Sequence, residues 1–173
     1  MIKLTKEDLL VRLKSLDRDA ALLYPDEGRF HVVIVGGGAL ILAGYTSRTT
    51  LDIDIIEATS VLYELFEKYD MNGHVAAHVS NFPFNYENRI KLLWEGRKVN
   101  FFTASLEDIV IAKLCAYRPT DKEDLVAVAD KVDWDLLDKL VKDEDELKSS
   151  ILNEKDYFFF MEAYKEYIDR WKP

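Results

Sequence analysis

One stretch constrains this chain more than any other: a short β-branched run that stops on three glycines. His31-Val-Val-Ile-Val35 reads as a buried strand, Gly36-Gly37-Gly38 breaks it, and residues 39–43 resume as a helix. Thr50-Leu-Asp-Ile-Asp-Ile-Ile56 then alternates polar and apolar residues, the period of a half-buried strand. That period predicts Asp52 and Asp54 on one face and Leu51, Ile53 and Ile55 on the other.

The chemistry follows from these residue types. A strand that turns on glycines into a helix leaves backbone N–H groups free to bind phosphate, and glycine lets a phosphate approach closely. Two carboxylates at i and i+2 on a strand lie roughly 7 Å apart and repel each other. A hard cation such as Mg²⁺ removes that repulsion, prefers oxygen ligands, and is usually bound by one or two carboxylates together with substrate phosphates.

The rest of the chain supplies the frame. Residues 5–24 predict an amphipathic helix, capped by Thr5 with Asp8 and turning Leu9, Leu10, Leu13 and Leu16 to one side. Residues 60–70 predict another, with Val61, Leu62, Leu65, Phe66 and Tyr69 as its stripe. Arg89–Trp94 and Lys98–Phe102 read as antiparallel strands around Glu95-Gly96-Arg97. From Ser105, paired with Asp108, the pattern is helical to about Tyr117. Thr120 with Glu123 forms a capping box for the next helix, and further helices are expected near 133–142, 144–152 and 154–171. The fold class is α+β: a mixed, mainly antiparallel sheet flanked by helices over residues 1–104, with a helical C-terminal part over 105–173 packed on it.

The chain of 173 residues carries 32 Asp and Glu against 23 Lys and Arg, a formal net charge of −9. Such a field does not attract nucleic acid over the whole surface, so a nucleic-acid substrate needs a local basic patch or a bound metal. The single cysteine, Cys115, excludes an internal disulfide and a cysteine-based metal cluster. With no long apolar run at the N-terminus or elsewhere, the expectation is a soluble cytoplasmic protein without a membrane span.

The segment GGGALILAGYTSRTTLDIDI resembles the first motif of the DNA polymerase beta-like nucleotidyltransferase superfamily, and within it the branch of the abortive-infection AbiEii-type toxins and related bacterial proteins. The matching positions are Gly36, Gly37, Gly38, Ala39, Leu40, Arg48, Thr50, Asp52, Ile53 and Asp54. Downstream, Asp108-Ile109-x3-Lys113-Leu114 and Arg118-Pro119-Thr120-Asp121-x2-Asp124-Leu125 resemble two further motifs of that branch, so the likeness covers roughly residues 31–130. It implies metal-dependent transfer of a nucleotide from an NTP to an RNA or protein acceptor, and an antitoxin partner. Asp52 and Asp54 would ligate Mg²⁺ or Mn²⁺. Gly36, Gly37, Gly38, Arg48 and Thr50 would bind the nucleotide, Lys113 would neutralise triphosphate charge, and Asp121 would sit near the acceptor or metal, with Asp124 a weaker candidate. Three departures stand out: Gly38 in place of a hydroxyl residue, Thr120 in place of a lysine, and Asn100 at the best-placed position for a third strand carboxylate.

Structural readings compete for several of these residues. Thr120, Asp121, Glu123 and Asp124 also suit a helix start, Lys113 can snorkel from an apolar helix, and Arg48 can be an ordinary loop residue. His74 and His78 have metal-ligand spacing but read as surface residues, and Cys115 as a small core hydrophobe. Tyr157-Phe-Phe-Phe160 and Trp171 read as packing surface rather than a base-stacking platform. Asn100 and the negative charge favour an alternative to the enzyme, a non-catalytic nucleotide-binding or regulatory module. A structural protein using its C-terminal aromatic helices is a third reading.

Overall fold

The computed structural model describes residues 2–73 and 81–173. The chain divides into two compact units: Met1–Ala77 with Ile90–Ala104, and His78–Arg89 with Ser105–Pro173.

The first unit is built on a five-stranded mixed sheet. Helix α1 (Lys6–Leu23) starts at Thr5, whose hydroxyl accepts from the Asp8 N–H while the Asp8 carboxylate accepts from the Thr5 N–H, the expected capping box. Leu9, Leu13, Leu16 and Ala20 form its buried stripe. Strand β1 (Phe30–Val35) runs directly into α2 (Gly36–Leu42), and both are almost wholly buried. Strand β2 (Ile53–Ala58) follows, then a helical stretch around α3 (Tyr63–Phe66), the two-residue β3 (Met71–Asn72), and the hairpin of β4 (Lys91–Glu95) and β5 (Val99–Thr103). The strand order is β3-β2-β1-β5-β4. The β1–β2 and β4–β5 ladders are antiparallel, and β1–β5 and β2–β3 are parallel. β1 is the central strand, which explains its buried apolar run Val32–Val35.

Two expectations in this unit are corrected. β2 begins at Ile53 rather than Thr50, so Asp52 lies in the approach to the strand and Leu51 is exposed rather than packed. Thr50 is instead tied to Leu4 in an isolated bridge, which draws the chain away from β1's ladder. The helix expected over 60–70 is broken into a 3₁₀ turn (Ser60–Leu62), α3 and a second 3₁₀ turn (Glu67–Tyr69). It ends at Asp70, which adopts the left-handed conformation at φ 56°.

In the second unit, α4 (Leu106–Ala116) packs against α5 (Pro119–Val128), α6 (Trp134–Lys142) and α7 (Glu154–Trp171). Ser105 caps α4 as expected, and Asp133 and Asn153 cap α6 and α7. α5 starts earlier than the Thr120–Glu123 box predicted. Pro119 occupies its first turn and the Asp121 carboxylate accepts from the Arg118 N–H, because proline's fixed φ suits a helix start. The helix expected over 144–152 is reduced to a 3₁₀ turn at Lys148–Ser150. The run Asp143-Glu-Asp-Glu146 places like charges in successive positions, and only Leu147 and Ser150 of the turn region are buried. Arg89, expected to open a strand, ends the 3₁₀ turn Tyr86–Arg89 and forms a bidentate ion pair with the buried Asp108 at 2.8 and 2.9 Å.

Candidate functional site

The glycine turn and the Asp pair meet in the first unit. Gly36 follows β1 with φ 68°, a conformation in which a Cβ is strained. A Cβ there would stand 2.9 Å from Asp54 Oδ2, so the carboxylate lies directly against the turn. The cause is the β1–β2 register, in which Val35 faces Asp54. A Cβ at Gly37 would collide with the Arg48 guanidinium, so Arg48 lies over the same turn. Arg48 Nη1 also donates to the Thr49 carbonyl at 2.7 Å, which braces the loop. Gly38 backs onto the Asp52 carbonyl and Ile53 Cα, and the Thr50 hydroxyl donates to the Asp52 carbonyl at 3.4 Å. The structure therefore gathers Gly36, Gly37, Gly38, Arg48, Thr50, Asp52 and Asp54 around one sheet end.

Two residues that sequence reasoning did not single out belong to this cluster. Asn72 pairs with Asp54 across the parallel β2–β3 ladder and donates from Nδ2 to Asp54 Oδ1 at 3.2 Å. Asp70 precedes β3 by one residue, and its carbonyl accepts from the Ile53 N–H at 2.9 Å, which brings it alongside Asp52. Burial, and then the charge of Asp70, raise the Asp52 carboxyl above its ordinary value. Asp70 is itself held by Arg12, whose Nε donates to Oδ2 at 2.9 Å. Asp52, Tyr63, Phe66, Glu67, Asp70 and Asn72 line a cleft of about 560 Å³. The sequence held no signal for either residue: Asp70 closes the helix expected over 60–70, and Met71 and Asn72 are too few to read as a strand.

Asn100 is not at this site. It pairs with His31 at the opposite end of β1 from Val35, four positions away or roughly 13 Å along the strand. Its Oδ1 accepts from Arg29 Nη2 at 2.7 Å. The carboxylate beside Asp52 comes from the β3 side of the sheet rather than from β5.

The second unit holds the remaining motif residues. Lys113 is buried and its Nζ lies 2.8 Å from Asp124 Oδ2 and 3.2 Å from Asp121 Oδ1. Burial raises the Asp121 carboxyl, but hydrogen bonds from Arg118 and the charges of Lys113 and Arg118 outweigh it and hold the group below its ordinary value. Here Lys113, Asp121 and Asp124 form one buried ion cluster. Burial, reinforced by the Asp156 charge, pushes the Cys115 thiol up to about 12, so it stays protonated. Phe160 is fully buried and stacks on Tyr164, whereas Phe158 and Phe159 are exposed, so only part of the aromatic run serves packing. His74 and His78 lie outside the described residues.

Among the described residues, no group of three or more His, Cys, Asp or Glu side chains is arranged to hold a metal ion, and no helix is long and apolar enough to cross a membrane. This sheet end carries two carboxylates, Asp54 against the glycine turn and Asp52 beside Asp70. No curated protein and no solved structure matches the chain. A family model does, over residues 11–172, and the carboxylates and glycine turn fall within it. The chain belongs to the family described as "Nucleotidyltransferase of unknown function (DUF6036)".

Proposed function

We propose that this member of the family is a metal-dependent nucleotidyltransferase whose centre is Asp52 and Asp54 beside the Gly36–Gly38 turn. The carrying observation is the contact of Asp54 with Gly36, which sets a carboxylate against backbone able to approach phosphate. The donor set suits Mg²⁺ or Mn²⁺: oxygen ligands only, few enough to leave positions for a triphosphate. The bound ion would supply charge neutralisation at the phosphates. Arg48, over the turn, supplies a fixed positive charge to the same end.

In the reaction, an acceptor oxygen forms a bond to the α-phosphorus, the bond to the β-phosphate oxygen breaks, and pyrophosphate leaves. Asp70, beside Asp52, is the carboxylate positioned for the acceptor's proton. Its presence favours an enzyme over a non-catalytic module, which the absence of a carboxylate at Asn100 had supported. Lys113 and Asp121 act in this reading by ordering the second unit, since both are buried in one ion cluster.

The AbiEii-type resemblance extends the reading to an RNA or protein acceptor, an antitoxin partner and the cytoplasm. Incubation with each labelled NTP, Mg²⁺ and either total RNA or total protein is expected to label one of the two pools. The double variant Asp52→Asn/Asp54→Asn is expected to lose Mg²⁺-dependent NTP binding in calorimetry. Unchanged binding would remove these residues from the centre.

A further inference from the structure

An exposed face of α7 forms one wall of a groove within the second unit, and the last turn of α4, residues 114–117, forms the other. The groove holds about 900 Å³. Leu114, Ala116, Phe159 and Ala163 supply its apolar surface. Phe159 is 57% exposed, although the next residue, Phe160, is completely buried. Exposed apolar surface rimmed by charged residues marks a protein interaction site.

Tyr117 partitions this surface. It follows α4 at φ 48°, an uncommon conformation for a bulky side chain. Its hydroxyl donates to Glu166 Oε2 at 3.0 Å, and Lys122 Nζ lies 4.4 Å from its ring centroid. Tyr117, Glu166 and Arg170 also line a second hollow, of about 140 Å³, together with Val126 and Trp171. Val126 is 48% and Trp171 40% exposed, so a second apolar contact lies beyond the partition.

The groove selects by charge. Asp156, Glu162, Glu166 and Asp169 line it against Lys165 and Arg170. Each base already lies 3.8 Å from an acid of the same helix, Lys165 from Glu162 and Arg170 from Glu166, which leaves Asp156 and Asp169 as an acidic excess. The end of α4 adds to it. The Arg118 N–H that would answer the Leu114 carbonyl donates to the Asp121 carboxylate at 3.0 Å, and Pro119 has no N–H to offer Cys115. These last carbonyls carry the negative end of the helix dipole. Such a lining repels nucleic acid, and a second copy of this chain brings the same acids and a net charge of −9. Positive charge combined with apolar side chains fits it, on a segment long enough to cross Tyr117.

We propose that the α4–α7 groove docks a basic amphipathic helical segment of a partner protein. Its apolar side chains seat against Phe159 and in the hollow beside Trp171, and its Lys or Arg side chains meet Asp156, Asp169 and the end of α4. The surface uses no residue of the proposed nucleotide centre, so it stands whether or not the chain transfers nucleotides.

The probe is a fluorescein-labelled peptide with Leu at helical spacing and Lys or Ala elsewhere, titrated with the full chain by anisotropy at several salt concentrations. It is expected to bind saturably and at least about tenfold tighter than the same peptide with Glu for Lys. Phe159→Ala is expected to weaken binding about tenfold with the salt dependence unchanged, because it removes an apolar anchor. Asp169→Asn is expected to weaken it about threefold and to flatten the salt dependence, because a rim charge acts through long-range attraction. Both positions are exposed, so melting temperatures are expected to stay the same. Amide shifts in NMR are expected to cluster at Ala116, Phe159, Asp169 and Trp171. Equal binding of the two peptides, no effect of Phe159→Ala, or shifts confined to the first unit overturns the proposal. Spermidine binding as tightly as the Lys peptide reduces the groove to a cation site and overturns the protein partner. Sedimentation that shows a dimer lost in Phe159→Ala assigns the face to a second copy and overturns it as well.

Discussion

Gly36 is held by two independent constraints, its positive φ and the carboxylate pressed against it. Gly36→Ala is expected to cost about 1–3 kcal/mol of stability from backbone strain and to displace Asp54. A thermal melt reads the first effect, and loss of Mg²⁺-dependent NTP binding reads the second. Asp52 makes a sharper electrostatic prediction. Burial and the neighbouring charge of Asp70 raise its carboxyl, so it takes up a proton at higher pH than an ordinary aspartate as the solution is acidified. A raised carboxyl in the folded state favours folding at low pH and loses that advantage as pH rises through its folded value. Asp70→Asn removes one of the two causes, so an NMR titration should show the Asp52 carboxyl moving down toward its ordinary value. No movement would mean that Asp70 does not act on it. Both residues of this pair were visible in the chain, but only Asp52 announced itself, through its place in an alternating strand pattern.

At the scale of elements, α1 organises the β4–β5 hairpin through one buried acid. Asp17 occupies the helix's apolar stripe and is 4% exposed. Its Oδ2 accepts from the Arg97 N–H at 2.9 Å, and its Oδ1 from the Lys98 and Val99 N–H groups at 2.8 Å each. Gly96 makes room, because a Cβ there would run into the same carboxylate. Asp17→Ala is expected to destabilise the protein by about 3 kcal/mol, since three backbone donors lose a charged acceptor. Amide exchange should show Arg97, Lys98 and Val99 losing protection first, while an even loss across the sheet would speak against a local anchor. The hairpin itself was legible from its strand-forming residues around Gly96. Its anchoring was not, because a lone aspartate in an amphipathic helix reads as a solvated position. The caps at Thr5 and Ser105 were legible because each is completed within three residues. The failed helix at 144–152 was misread because its periodicity took no account of the acidic run.

For the molecule as a whole, buried charge is concentrated in the second unit, where Lys113 answers two carboxylates and Arg89 answers Asp108. Lys113→Met is expected to destabilise the protein by roughly 3–5 kcal/mol at pH 7 by stranding Asp121 and Asp124. The loss should shrink as the solution is acidified, because a protonated carboxyl strands no charge, and chemical denaturation at neutral and acidic pH measures it. In the native chain the sign is reversed. The lowered Asp121 carboxyl contributes stability above its ordinary value of 3.8, and that contribution is lost as pH falls through the lower folded value. The α+β class, the central strand stopping on glycines and the starts of α1, α4, α6 and α7 were determined by sequence alone. Each depends on periodicity or on contacts a few residues apart. Tertiary structure decided the rest of the candidate site: Asp54 against Gly36, Arg48 over Gly37, Asn72 on Asp54, Asp70 beside Asp52, and Asn100 at the far end of β1. The physical reason is register. A parallel ladder two residues long joins positions 18 apart, and no local pattern encodes which strands will pair or at which offset.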